Sequence, residues 1–134
     1  MSKLTVEVVT PERVVYSGQA KMVIARGVDG DVGILPNHMP LVTPLKIAPV
    51  RIISEGDKET QIAVSGGFLE VHGEKLTILA ESAELPEDID VARAKAAKAR
   101  AEQRLSEKHA DLDQRRAEYA LQRAINRLDV TKQL

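Results

Sequence analysis

The C-terminal half of the chain carries charged residues at spacings that suit anion binding. Asp90 and Arg93 stand at i and i+3, and Arg100 lies seven beyond Arg93 with the small Ala97 between them. Arg123 and Arg127 stand at i and i+4. On helices, each of these sets shares one face. A guanidinium fork matches phosphate oxygens bidentately, which an ammonium cannot do. Two helices folded together would gather the four guanidiniums, which repel one another unless an anion lies between them, so a polyphosphate would act as the clasp. Taken singly, each arginine reads equally well as a solvated side chain pairing with Glu102, Glu118 or a neighbour.

Other chemistry finds little support. His38, His72 and His109 are scattered, and no two stand at the i, i+4 spacing of a helical zinc pair. Ser65-Gly66-Gly67 lacks the Lys-Ser/Thr of a phosphate loop and reads as a tight turn or bulge between strands. Asp29 and Asp31 are a conceivable acid–base pair, but Gly30 and Gly33 flank them and a solvated loop is the simpler reading. No catalytic constellation or metal site is expected.

The elements that must position these residues fall into two groups. Leu4, Val6 and Val8 alternate with Thr5, Glu7 and Val9; Leu76, Ile78 and Ala80 alternate with Thr77, Leu79 and Glu81. Period two, with turn signals at Pro11-Glu12, Asp29-Gly30, Glu55-Gly56-Asp57 and His72-Gly73, predicts short antiparallel strands over residues 1–85. A sandwich or flattened barrel is the expected architecture. Beyond Pro86 there is no further Gly or Pro, and residues 86–134 predict an antiparallel two-helix hairpin, giving an α+β chain. Pro86, Glu87, Asp88 and Asp90 suit a helix start, where acids complement the dipole. The first stripe is Val91, Ala94, Ala97, Ala101 and Leu105; the second runs through Leu112, Ala117, Ala120, Leu121, Ala124, Ile125 and Leu128, with Ser106-Glu107-Lys108-His109 as the join. Alanine buries little area, at roughly 0.8 kcal/mol per CH₂. The hairpin is therefore either a weakly held, movable element or a rigid coiled coil; composition leaves both open.

With 43% hydrophobic residues a packed core is expected, but with only 2% aromatics it must be aliphatic, and base-stacking platforms are essentially absent. The absence of Cys excludes disulfides and thiolate chemistry. No secretory pattern or membrane-spanning run is evident, so direct membrane insertion is not expected and any membrane association must go through a partner. The net charge of -1 argues against a nucleic-acid binder. It hides an asymmetry: residues 1–89 hold 8 Lys/Arg against 13 Asp/Glu, and residues 90–134 hold 11 against 7. The basic C-terminal part is the one suited to an acidic partner.

Three stretches carry a resemblance when taken in order. They are Gly33-Ile34-Leu35-Pro36-Asn37-His38-Met39-Pro40-Leu41-Val42, Val64-Ser65-Gly66-Gly67-Phe68-Leu69-Glu70-Val71 and Ile89-Asp90-Val91-Ala92-Arg93-Ala94. With the opening Val8-Val9-Thr10-Pro11 and Val15-Tyr16, the chain resembles over essentially its whole length the epsilon-subunit family of bacterial F-type ATP synthases, called delta in mitochondria. The resemblance implies a non-catalytic central-stalk subunit peripheral to the cytoplasmic face of the bacterial plasma membrane. Its sandwich would contact the gamma subunit and the c-ring, with Asp31 and His38 facing the ring. Its helices, when extended, would reach the catalytic beta and alpha subunits and inhibit ATP hydrolysis. The family's Ile/Leu-Asp-x-x-Arg-Ala motif, matched by Ile89, Asp90, Arg93 and Ala94, implies regulatory ATP binding to the compact hairpin. Ile89, Asp90 and Ala94 would lie toward the nucleoside and Arg93, Arg100, Arg123 and Arg127 toward the phosphates, with Glu84 near the hinge. Nothing in the sequence dictates an accompanying Mg²⁺.

Overall fold

Eight strands precede two helices in the computed structural model, which describes residues 3–107 and 110–132. The strands are β1 (Leu4–Val9), β2 (Val14–Ala20), β3 (Met22–Gly27), β4 (Gly30–Ile34), β5 (Leu41–Ile53), β6 (Glu59–His72), β7 (Lys75–Ala80) and β8 (Ala83–Glu84). They form one continuous sheet in the order β2-β1-β7-β6-β5-β3-β4, with β8 paired to β6. The path has two ends, so the sheet is a flattened sandwich and not a closed barrel. All neighbours are antiparallel except β1 and β7, which run parallel in the register Val6↔Leu76 and Val8↔Ile78.

Two long strands make the layers. In β5 the buried positions are Leu45, then Ala48, Val50 and Ile52; in β6 those facing the sandwich core are Ile62, Val64, then Leu69 and Val71, while the buried Ala63 belongs to a second cluster. Each strand thus changes the parity it presents to the core, at levels that face each other through Leu45↔Gly67 and Ile47↔Ser65. Side chains alternate strictly along a strand, so such a change requires a local irregularity. Gly66 and Gly67 supply it, with φ of 77° and 120°. A Cβ on Gly67 would lie 2.1 Å from the Leu79 carbonyl oxygen. The expected turn or bulge between strands at Ser65-Gly66-Gly67 is therefore a bend inside one strand. Pro49 sits where the β3–β5 ladder is interrupted, between Ile24↔Arg51 and Gly27↔Leu45, so its missing N–H costs little there. Arg51 and Gln61 hold the Glu59 carboxylate at the far end of the ribbon, through Nη2–Oε1 at 2.8 Å and Nε2–Oε2 at 2.6 Å. These bonds keep the Glu59 carboxyl below the usual carboxylate range and raise Arg51 above its ordinary value.

Among the described residues, no helix residue belongs to the sandwich core. It is aliphatic, from Leu4, Val6 and Val8 through Ile52, Ile62 and Leu69 to Leu76 and Ile78. A 3₁₀ turn, Pro86–Asp88, leads to α1 (Val91–Ser106), and α2 (Asp111–Thr131) returns along it. Helix α1 starts later than the cluster of acids suggested. Pro86, Glu87 and Asp88 form the separate turn, and Asp90 is the N-cap, its Oδ1 accepting the Arg93 N–H at 3.1 Å. Lys108 and His109 of the expected join lie outside the described residues, as does the side chain of Leu112.

Helix α2 packs on α1 and also on β5 and β6. Its buried Ala117 and Ala124 are about half a turn away from its buried Asn126 and Val130, given 3.6 residues per turn. The second pair serves the sandwich side, where Asn126 Nδ2 donates to the Val64 carbonyl at 2.9 Å. Ile125, expected in the stripe, stands about a quarter turn from both faces and is 38% exposed. Val91 likewise turns outward, at 36%. A second, small apolar cluster joins the halves: Ala63 of β6, Ile89, Ala94 of α1 and Val130 of α2, with Leu128 against it.

Candidate functional site

The hairpin lies folded against the sandwich, and a cleft of about 280 Å³ opens where β8, the 3₁₀ turn, α1 and α2 meet. Glu84 enters from the sandwich; Ile89, Asp90, Arg93, Ala94 and Arg100 line it from the turn and α1; Arg127 comes from α2. Seven of the eight residues expected at an anion site thus share one cleft. The eighth, Arg123, lies outside it. It lines a neighbouring groove of about 500 Å³ between the helices, which shares Ala97 and Arg100 with the cleft.

Local structure explains these placements. The N-cap fixes where α1 begins, which sets the azimuth of Arg93 and, two turns on, of Arg100. Ala94 is buried against the small cluster, so its helix approaches β6 closely and keeps the cleft narrow. Ile89, 8% exposed, forms an apolar wall. Glu84 reaches across from β8 and accepts from Arg127 Nε at 2.5 Å, both side chains being about a third exposed. Arg127 is thus already charge-compensated by Glu84. Arg93 and Arg100 are exposed and have no ion pair among the described residues, and neither Glu102 nor Glu118 pairs with them.

Chemically, the cleft offers three guanidiniums, three carboxylates and an apolar wall; Glu84 is engaged by Arg127, Asp88 lies 3.6 Å from Arg13, and Asp90 caps α1. Such an arrangement can hold an anion through Arg93 and Arg100, the two cleft guanidiniums without an ion pair among the described residues. Among the described residues no group of three or more His, Asp or Glu side chains is placed to hold a metal ion.

Asp31 lies in β4 and not in a loop, where its Oδ1 accepts from Arg26 Nε across the β3–β4 ladder at 3.2 Å. His38 sits in the β4–β5 connection, half-buried, with Nδ1 2.7 Å from the Met39 carbonyl. Leu35 and Met39 beside it are 55% and 80% exposed, so this connection presents an apolar tip.

One surface escaped the sequence reading. Pro44, Phe68, Leu79 and Val9 are register partners across four adjacent strands, and Val14 continues the row onto β2. Phe68, Leu79 and Val14 are each more than half exposed. Register partners project from the same face of a sheet, so these form an apolar ridge on the outside of the sandwich. The available signal was apolar residues at nominally outward positions, Val9 and Leu79, in otherwise alternating strands.

Comparisons with known proteins agree along the whole chain. The ATP synthase delta/epsilon chain beta-sandwich domain matches residues 3–86, and the long alpha-helix domain of the same chain type matches residues 87–132. An ATP synthase epsilon chain from Brevibacillus brevis is 76% identical over 132 residues, covering 98% of this chain and 100% of that one. One from Shouchella clausii is 53% identical, covering 98% and 97%. In fold, the chain is similar to one in a cryo-EM structure of the Euglena gracilis mitochondrial ATP synthase (OSCP/F1/c-ring), with a TM-score of 0.83 at 21% identity, covering 98% of this chain and 82% of that one.

Proposed function

Because the chain belongs to the ATP synthase delta/epsilon chain family, we propose that it works as a central-stalk subunit whose hairpin is a nucleotide-responsive regulatory arm. It is a non-catalytic subunit of the synthase complex. On this reading the sandwich stands at the foot of the stalk. The ridge of Phe68, Leu79 and Val14 docks the gamma subunit, and Asp31 of β4 and His38 of the β4–β5 connection face the c-ring. The complex is peripheral to the cytoplasmic face of the bacterial membrane, and this chain reaches the membrane only through its partners.

The observation that carries the regulatory reading is that the cleft exists only when the hairpin is folded down, since Glu84, Arg93 and Arg127 come from three different elements. A ligand held there favours the compact state by its binding free energy, about 2.7 kcal/mol at a hundredfold excess over Kd. Against this stands a hairpin whose buried residues are mainly alanines and one small cluster. The proposed ligand is ATP. Its phosphates suit Arg93, Arg100 and Arg127, with Arg123 reaching from the adjoining groove, and its nucleoside suits the Ile89 and Ala94 wall. The cleft by itself is just below the usual size of ligand pockets, roughly 300–1,000 Å³, so a nucleotide needs the adjoining groove past Ala97 as well. No residue set here calls for Mg²⁺. Released, the basic hairpin would extend toward the catalytic beta and alpha subunits and inhibit hydrolysis.

The test is cross-linking of α2 to β6, with melting temperature, with and without millimolar ATP. The parent should cross-link more and melt higher with ATP. Asp90→Asn with Arg93→Gln, which keeps a capping side chain, should lose the response. An unresponsive parent, or an equally responsive double variant, overturns the reading.

A further inference from the structure

The groove between the helices holds a second arrangement, of which the nucleotide reading uses only Arg100 and Arg123. Arg100 and Arg104 on α1 and Arg116 and Arg123 on α2 line it, over a floor of alanines that includes the buried Ala101 and Ala117. Residues 100 and 104 are one turn apart and residues 116 and 123 two turns apart, so each pair lies on one face of its helix. The helices are antiparallel, and the four side chains therefore form two facing rows. None of the residues lining the groove is acidic. Among the described residues none of these four arginines forms an ion pair, and all four are exposed.

An exposed arginine on a helix is ordinary. Four on one groove without an acid are not, because like charges on facing helices oppose the packing that alanines only weakly support. The alanine floor, with Tyr119 beside it, leaves room between the rows for a thin, densely charged ligand. Phosphate oxygens fit guanidinium forks in pairs, and a chain of them would face both rows at once. Arg100 and Ala97 border both this groove and the cleft. We propose that it is a site for linear polyphosphate, in which a phosphate chain longer than that of a nucleoside triphosphate bridges α1 and α2 and clamps the hairpin shut. Arg104 and Arg116 distinguish it from the nucleotide site, which does not need them; Arg100 and Arg123 are common to both.

The full chain would be titrated calorimetrically with long-chain inorganic polyphosphate, with tripolyphosphate, and with poly-glutamate of matched charge at the same ionic strength. Long-chain polyphosphate should bind more tightly than either of the others. Arg104→Gln with Arg116→Gln should weaken polyphosphate about tenfold or more and ATP by less, while Asp90→Asn with Arg93→Gln should do the reverse. Arg104→Lys with Arg116→Lys keeps the charge and should still weaken polyphosphate, because the forks are lost. Helix content by circular dichroism confirms that each variant is folded. Absence of polyphosphate binding, equal binding of poly-glutamate, or full affinity in the Arg104→Gln, Arg116→Gln variant overturns the proposal. If ATP alone fails to bind, the nucleotide reading falls and this one stands.

Discussion

Asp90 shows how one residue serves both structure and site. It lines the cleft, and it also caps α1 through the Arg93 N–H. Truncating an N-cap costs about 0.5–2 kcal/mol, so Asp90→Ala should lower the melting temperature whether or not any ligand binds there. Asp90→Asn keeps an acceptor at the cap and should melt close to the parent. A melting temperature for Asp90→Asn as low as for Asp90→Ala would show that charge at the helix start, and not the hydrogen bond, is what matters. Glu84 has a similar double character. Its bond to Arg127 ties β8 to α2, and any phosphate reaching Arg127 must compete with it. That partner could not be chosen from sequence, because Glu84 and Arg127 are 43 residues apart and only the docking of the hairpin makes them neighbours.

At the scale of the element, the β5–β6 ribbon decides the sandwich. Both strands reverse the face they bury at one level, and Gly67 takes the backbone there with φ of 120° against the Leu79 carbonyl. Gly67→Ala should destabilise by about 3 kcal/mol or more, because a Cβ has neither the conformation nor the space. Gly73→Ala provides the contrast: its φ is also positive, 63°, but nothing lies within 4 Å, and the cost should be only about 1–2 kcal/mol. Chemical denaturation of the two variants distinguishes space from conformation; equal losses would mean that the contact at Gly67 relaxes freely. In α2, the helical period located the helix correctly. It did not reveal that the helix has two opposed contact faces, which is why Asn126 is buried and Ile125 is not.

For the whole molecule, the separation of cores predicts separable stability. The main core is built entirely from sandwich residues, whereas the hairpin is held by a small cluster, the Asn126–Val64 bond and the Glu84–Arg127 pair. Deletion of residues 87–134 should therefore leave a folded sandwich with a sharp unfolding transition. It would newly expose little beyond Ala63 and its neighbours, and the loss in stability should be about 1–2 kcal/mol. Thermal unfolding followed by strand signal checks this; a truncated chain without a cooperative transition would mean that the halves fold as one unit.

Period-two alternation, the glycine and proline punctuation and the alanine-rich tail were enough to establish strands followed by two helices, because these patterns reflect local geometry and the need to bury one face. The spacing of Asp90, Arg93 and Arg100 was legible for the same reason: residues on one helix have fixed relative azimuths. What belonged to the tertiary structure alone was everything that depends on how separate elements meet. The parallel β1–β7 pair, the bend at Gly66-Gly67, the outer row of Phe68 and Leu79, and the division of the arginines between a cleft and a groove all join residues far apart in the chain. Local patterns specify which face of an element is apolar, but not which partner covers it, and that choice depends on the packing of the whole fold.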